Sequence, residues 1–201
     1  MKITKFELGM WIFAFLLLLP SLLSAGDATK QLSTTIDGFV PIISNTPREE
    51  LQANGMPESA RKLVLARFDF SEMTKRSLGQ HWTSLKPAEQ KQFVDAFTQW
   101  QLISFGRIVR SSGGHEVQFT RELQDGKDAS VETKVVRRYS EDLSIDYWLH
   151  NVNGQWKVYN MVIDHVDIVK NVNAQFERVI AKSSLQELLQ KVKDQNPRSL
   201  G

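Results

Sequence analysis

The side chains able to do chemistry in this 201-residue sequence are few. They are the imidazoles of His81, His115, His150 and His165, the adjacent pair Asp164-His165, and the basic cluster Lys134, Arg137 and Arg138. No two histidines stand at an H-x-H or H-E-x-x-H spacing, so no metal site is expected. The chain has no cysteine, which excludes disulfides, thiolate zinc sites, cysteine nucleophiles and iron–sulfur ligation. There is no G-x-S-x-G elbow and no glycine-rich phosphate loop. Asp164-His165 closes a strand and leads into a helix, and it reads as that before it reads as an acid–base pair. The basic cluster has the charge to meet a phosphate headgroup or an acidic partner protein, and also suits a solvated sheet edge. One constellation would make an enzyme: Tyr147 with Asp164, as acid and base in an apolar pocket.

Composition narrows the classes further. Hydrophobic residues make up 41% and charged residues 24%, an ordinary globular balance. A formal charge of +2 is too small for a typical nucleic-acid binder. Residues 1–26 read as a secretory signal peptide. Lys2 and Lys5 precede the apolar run Met10–Leu19, Pro20 breaks it, and Ser24-Ala25-Gly26 supplies small residues for cleavage. Export follows as an expectation, with a first residue between Ala25 and Thr29. Removing Lys2, Lys5 and Glu7 takes the charge from +2 to +1.

Residues 27–201 read as one α+β domain, with helices, then strands, then helices. Leu32, Ile36, Phe39, Val40 and Ile43 fall at helical spacing over 27–43. Pro47, Asn54-Gly55 and Pro57 mark a loop-rich stretch. Helices are expected over 59–68, over 69–78 with Asp69 as its cap, and over 88–110. The last of these is apolar on two sides and belongs between neighbours. Strands follow over 115–123, 129–139, 143–151 and 155–164, and two helices close the chain. Val117, Phe119 and Leu123 share one face of the first strand; Val131, Thr133 and Val135 share one face of the second.

Asn153-Gly154 is a strong hairpin signal. A plain two-residue turn there sets Leu149 opposite Val158, Ile145 opposite Val162 and Tyr147 opposite Asn160. One face then gathers Ile145, Tyr147, Leu149, Trp156, Val158 and Val162, and the other Trp148, Tyr159, Met161 and Ile163. The same construction at Asp125-Gly126 mixes charge with Phe119, so a bulge or longer loop is expected. The result is an antiparallel four-stranded sheet wrapped by helices, which can leave an apolar cavity between sheet and helices or be filled by side chains as ordinary core, and spacing does not decide between the two.

The segment Trp156 to Val166 resembles the pattern W-K-V-Y-D-V-x-(V/I)-(E/D)-G-V of MlaC-type periplasmic phospholipid carriers, the toluene-tolerance family. Ile168-Val169, Asn171 and Gln175-Phe176 continue the likeness. Upstream, Arg67-Phe68-Asp69-Phe70, Met73, Leu78-Gly79 and Trp82 are similar to its R-F-D-F-x-x-M…L-G-x-x-W. Pro87, Glu89, Gln90, Phe93 and Phe97 are similar to its P-x-E-Q helix. Asn160-Met161 replaces the usual Asp-Val, His165 the usual Gly, and Val172-Asn173 the usual Tyr-Arg.

The resemblance implies a non-enzymatic carrier with no cofactor and a bound phospholipid as cargo. It would pass lipid between an outer-membrane lipoprotein–porin complex and the substrate-binding part of an inner-membrane ABC transporter, keeping the outer membrane asymmetric. The residues expected to line the lipid site are Phe97, Phe105, Val135, Ile145, Tyr147, Leu149, Val158, Val162 and Phe176. Lys134, Arg137 and Arg138 would contact a partner or the headgroup. A carrier of another apolar lipid such as a hopanoid, the Tyr147/Asp164 enzyme, and an interaction module with a filled core are the alternatives.

Overall fold

The computed structural model describes residues 26–112, 116–137 and 141–194. The residues before Gly26, on which the expected signal peptide falls, His115, Arg138 and the residues from Gln195 lie outside the described residues. Helix α1 (Asp27–Asn45) buries Ala28, Leu32, Thr35, Phe39 and Ile43 at spacings of three and four. Helix α2 (Arg48–Asn54) is not foreseen by the sequence reading. Pro47 and Gly55, which read as loop punctuation, are instead its two caps, and Gly55 takes the positive φ (73°) that a helix stop requires.

Helix α3 (Glu58–Arg67) and helix α4 (Phe70–Leu78) follow. Asp69 caps α4 as expected, its Oδ1 accepting from the Glu72 amide at 2.9 Å. A 3₁₀ segment (Gly79–Ser84) leads to the long helix α5 (Pro87–Ser112). Its buried residues Phe93, Ala96, Phe97, Trp100, Gln101, Leu102 and Phe105 lie on more than one side, as a helix held between neighbours requires.

The sheet has five strands in sequential antiparallel order: β1 (Val117–Asp125), β2 (Asp128–Val135), β3 (Leu143–Val152), β4 (Gln155–Ile163) and β5 (Val166–Asp167). The two-residue β5 is the strand added to the expected four. Helices α6 (Ile168–Lys182) and α7 (Leu185–Lys193) end the fold, capped by Asp167 and Ser184. Among the described residues, no helix is long and apolar enough to cross a membrane.

Two bulges decide which side chains face the helices. Of the bulge or longer loop expected in the first hairpin, the bulge is what forms, and the two-residue turn falls one position later than Asp125-Gly126. Asp125 pairs with Asp128 across Gly126-Lys127, and Thr120 drops out of register between Phe119 and Arg121. The slip turns Glu122 to the inner face and leaves Leu123 exposed, so Leu123 does not share a face with Val117 and Phe119.

In the second hairpin Leu149 opposes Val158 as expected. Tyr159 is then extra, and beyond it Tyr147 faces Met161, Asp146 faces Val162 and Ile145 faces Ile163. The assignment of Val162 to the inner face, and of Met161 and Ile163 to the outer one, is therefore reversed. A period-2 argument carries an error of one residue through every position past a bulge.

Candidate functional site

The inner face of the sheet and helices α1, α3 and α5 border an apolar space that opens to solvent and has a cavity volume of about 90 Å³. Helix α1 contributes Leu32, Thr35, Ile36, Phe39 and Val40. Val64, Phe68, Phe105 and Ile108 form the opposite wall. The strands contribute Val117, Val135, Leu143, Ile145, Tyr147, Met161 and Ile163. Phe68 and Phe105 meet at 4.9 Å between ring centroids, and Phe70 stacks behind Phe68 at 5.8 Å.

Among the described residues, no charged side chain lines the space. Its polar groups are the Thr35 hydroxyl, which donates to the Gln31 carbonyl, and the Tyr147 phenol. Burial holds that phenol protonated well above its ordinary range, opposed only in part by the Thr133 side chain. The Thr133 hydroxyl donates to the Ile145 carbonyl at 2.8 Å. Apart from the Thr35 and Tyr147 hydroxyls the lining is hydrocarbon.

The space runs along the strands. Its inner end is stopped by the pair Leu149 and Val158, both fully buried, and by Val64. Val158 is further locked by a bridge to Phe68 and by its carbonyl, which accepts from the Asp69 amide at 2.8 Å. The other end lies where the strands finish, at Val117, Val135, Leu143 and Ile163.

The basic cluster sits at that end. Lys134 Nζ is 2.7 Å from Asp142 Oδ2, the Arg137 amide donates to Asp142 Oδ1, and the Arg137 guanidinium donates to the Glu141 carbonyl. Lys134, and after it Arg137, hold the Asp142 carboxyl below its usual range. The cluster is thus a linked acid–base rim rather than a bare positive patch.

Of the nine residues expected in the site, Phe105, Val135, Ile145 and Tyr147 line it. Leu149 and Val158 close its end from within the core. Phe97 and Phe176 lie elsewhere, in edge contact at 6.4 Å with Trp100 beside them, packing α5 on α6. Val162 is on the far face of the sheet. The wall from α1 was missed as a site, although its broad stripe (Leu32, Ile36, Phe39, Val40) was visible in the sequence.

Asp164 and Tyr147 are not brought together. Asp164 is exposed, with Oδ1 accepting from the Ser144 amide, and it forms with His165 the tight turn between β4 and β5. His81 pairs with Glu177 at 3.2 Å and His150 with Asp69 at 3.0 Å, each tying two elements together. Among the described residues no group of three potential ligands could hold a metal ion.

Residues 34–194 match the MlaC protein family. A curated relative, the toluene tolerance protein ttg2D of Pseudomonas putida, is 26% identical over 91 residues. That match spans 45% of this chain and less than half (42%) of the relative. A solved structure, described as the phospholipid-binding protein from Ralstonia solanacearum in complex with a phospholipid, superposes with a TM-score of 0.74. It is 22% identical, and the match covers 86% of this chain and 98% of that one, so the two share a fold.

Proposed function

The chain belongs to the MlaC family, and from that premise we propose that it carries phospholipid through the periplasm, acyl chains inside and headgroup at the mouth. The observation that carries the reading is the uncharged, one-ended space between sheet and helices. Each methylene kept from water is worth ~0.8 kcal/mol, so a segment of about ten methylenes is held by roughly 8 kcal/mol without any directed contact. A lining chemically like a bilayer interior leaves transfer to and from a membrane near balance. The phospholipid held by the Ralstonia relative and the toluene-tolerance name of the Pseudomonas relative agree with this reading.

The donor and acceptor complexes proposed are an outer-membrane lipoprotein–porin assembly and the substrate-binding part of an inner-membrane ABC transporter. The rim of Lys134, Asp142 and Arg137, with Arg138 beside it in sequence, is the surface proposed to meet them. No catalytic step is required.

Native mass spectrometry of protein purified from the periplasm tests the carrier role. The expected result is a population heavier than the bare chain by the mass of a phospholipid, which is recovered on extraction. A chain that is always bare, even after incubation with phospholipid vesicles, overturns it.

A further inference from the structure

Helix α1 starts without a cap of its own: Gly26 occupies the N-cap position and has no side chain to offer. The cap comes from the sheet. Glu122, turned inward by the Thr120 bulge, accepts the Thr29 amide on Oε2 at 2.8 Å. Its carboxylate also lies hard against Gly26. A Cβ built on that residue would stand 2.0 Å from Oε1, 2.4 Å from the carboxyl carbon and 2.6 Å from Oε2. No residue with a side chain fits there while Glu122 keeps its place. Nitrogen and Cβ on one Cα are about 2.5 Å apart, so the Gly26 nitrogen lies within about 4.5 Å of Oε1.

We propose that the leader is removed at the Ala25–Gly26 bond and that Glu122 is a built receptor for the α-ammonium group so created. This rests on the export reading. Hydrolysis by a leader peptidase consumes one water and leaves a carboxylate on Ala25 and an ammonium on Gly26. Such a cation at the start of a helix is repelled by the unpaired amides and the helix dipole. A carboxylate set between the ammonium and the Thr29 amide neutralises the first and caps the second.

Cutting one residue later would discard the Gly26 carbonyl, which accepts from the Lys30 amide at 3.0 Å. The other charged side chains at this end of α1, Asp27 and Lys30, are exposed, and Val131 faces Glu122 across the sheet. Since α1 supplies five lining side chains, processing would fasten one wall of the space to the edge strand.

The test starts with the intact mass of the exported protein, expected to begin at Gly26. A second version has its cut site moved to leave one extra alanine, which shifts the ammonium by about 3.8 Å. That version should melt roughly 2–4 °C lower in the native background and unchanged in Glu122→Gln, which still accepts from Thr29. A first residue of Asp27 or later overturns the proposal, as does an equal shift in both backgrounds or a shift in neither. A chain beginning at Met1 overturns it together with export. A Gly26 start with the coupled shift but no lipid supports the receptor and removes only the carrier reading.

Discussion

Arg67 and His165 sit where their chemistry is under tension with their surroundings, and each gives a measurable consequence. Arg67 is nine-tenths buried, and burial lowers its pKa. Its guanidinium donates to Thr35 Oγ1, Gln31 Oε1 and the Trp156 carbonyl, joining α1, α3 and β4 behind the wall of the apolar space. Replacing it with methionine keeps most of the volume but leaves three acceptors short of a donor. The expected cost is about 2–3 kcal/mol of unfolding free energy, read by urea denaturation. His165 holds φ at 68° in the turn beside Asp164 (φ 44°), a region costly for any residue with a Cβ. His165→Gly should therefore raise stability, by about 0.5–1 kcal/mol after the entropy of glycine is counted. A loss on thermal melting would show that the imidazole makes a compensating contact.

At the scale of elements, the bulges at Thr120 and Tyr159 sort the inner sheet face into a packed half and an open half. Val158 and Ile145 share that face, yet Val158 belongs to the sealed end and Ile145 lines the space. Tryptophan at the two positions should act oppositely. Val158→Trp overpacks the core and should cost about 1–3 kcal/mol or more. Ile145→Trp can extend into the opening, so its melting temperature should stay near that of the native chain while bound lipid falls. Lipid per mole by mass spectrometry, paired with calorimetry of the delipidated proteins, separates the two. Equal destabilisation would mean that the space is closed in solution.

For the whole molecule, the mouth and the linked rim of Lys134, Asp142 and Arg137 lie at one end, where the strands finish. The proposed carrier role calls for contacts strong enough to orient the protein on a partner and weak enough to break, and exposed charges of this kind are screened by salt. Reversing Arg137 and Arg138 to glutamate should weaken crosslinking to the transporter's substrate-binding component, more at low salt than at high, without unloading lipid. Unchanged crosslinking at low salt would place the docking surface elsewhere. Asp142 bears on the same rim. Its carboxyl is held low by Lys134 and the Arg137 amide, so its link to them persists through the usual carboxylate range and loosens as pH falls below it.

The sequence by itself determined the order helices, strands, helices, the cap at Asp69, the turn at Asn153-Gly154, the long helix buried on two sides, a departure from plain register in the first hairpin, and the family. These rest on local signals: turn chemistry, periodicity and short motifs whose meaning does not depend on distant residues. Tertiary structure alone decided which apolar residues line a space and which fill the core. Phe97, Phe176, Leu149 and Val158 are as apolar as Phe39, Ile145 and Met161, and burial of either set has the same pattern in the chain. What separates them is where a packed layer stops, and that is fixed by one extra residue at Tyr159 and by the approach of α1 to the sheet. A single bulge shifts the register by one and sends Met161 inward and Val162 outward, a change no periodicity can reveal because both readings alternate equally well.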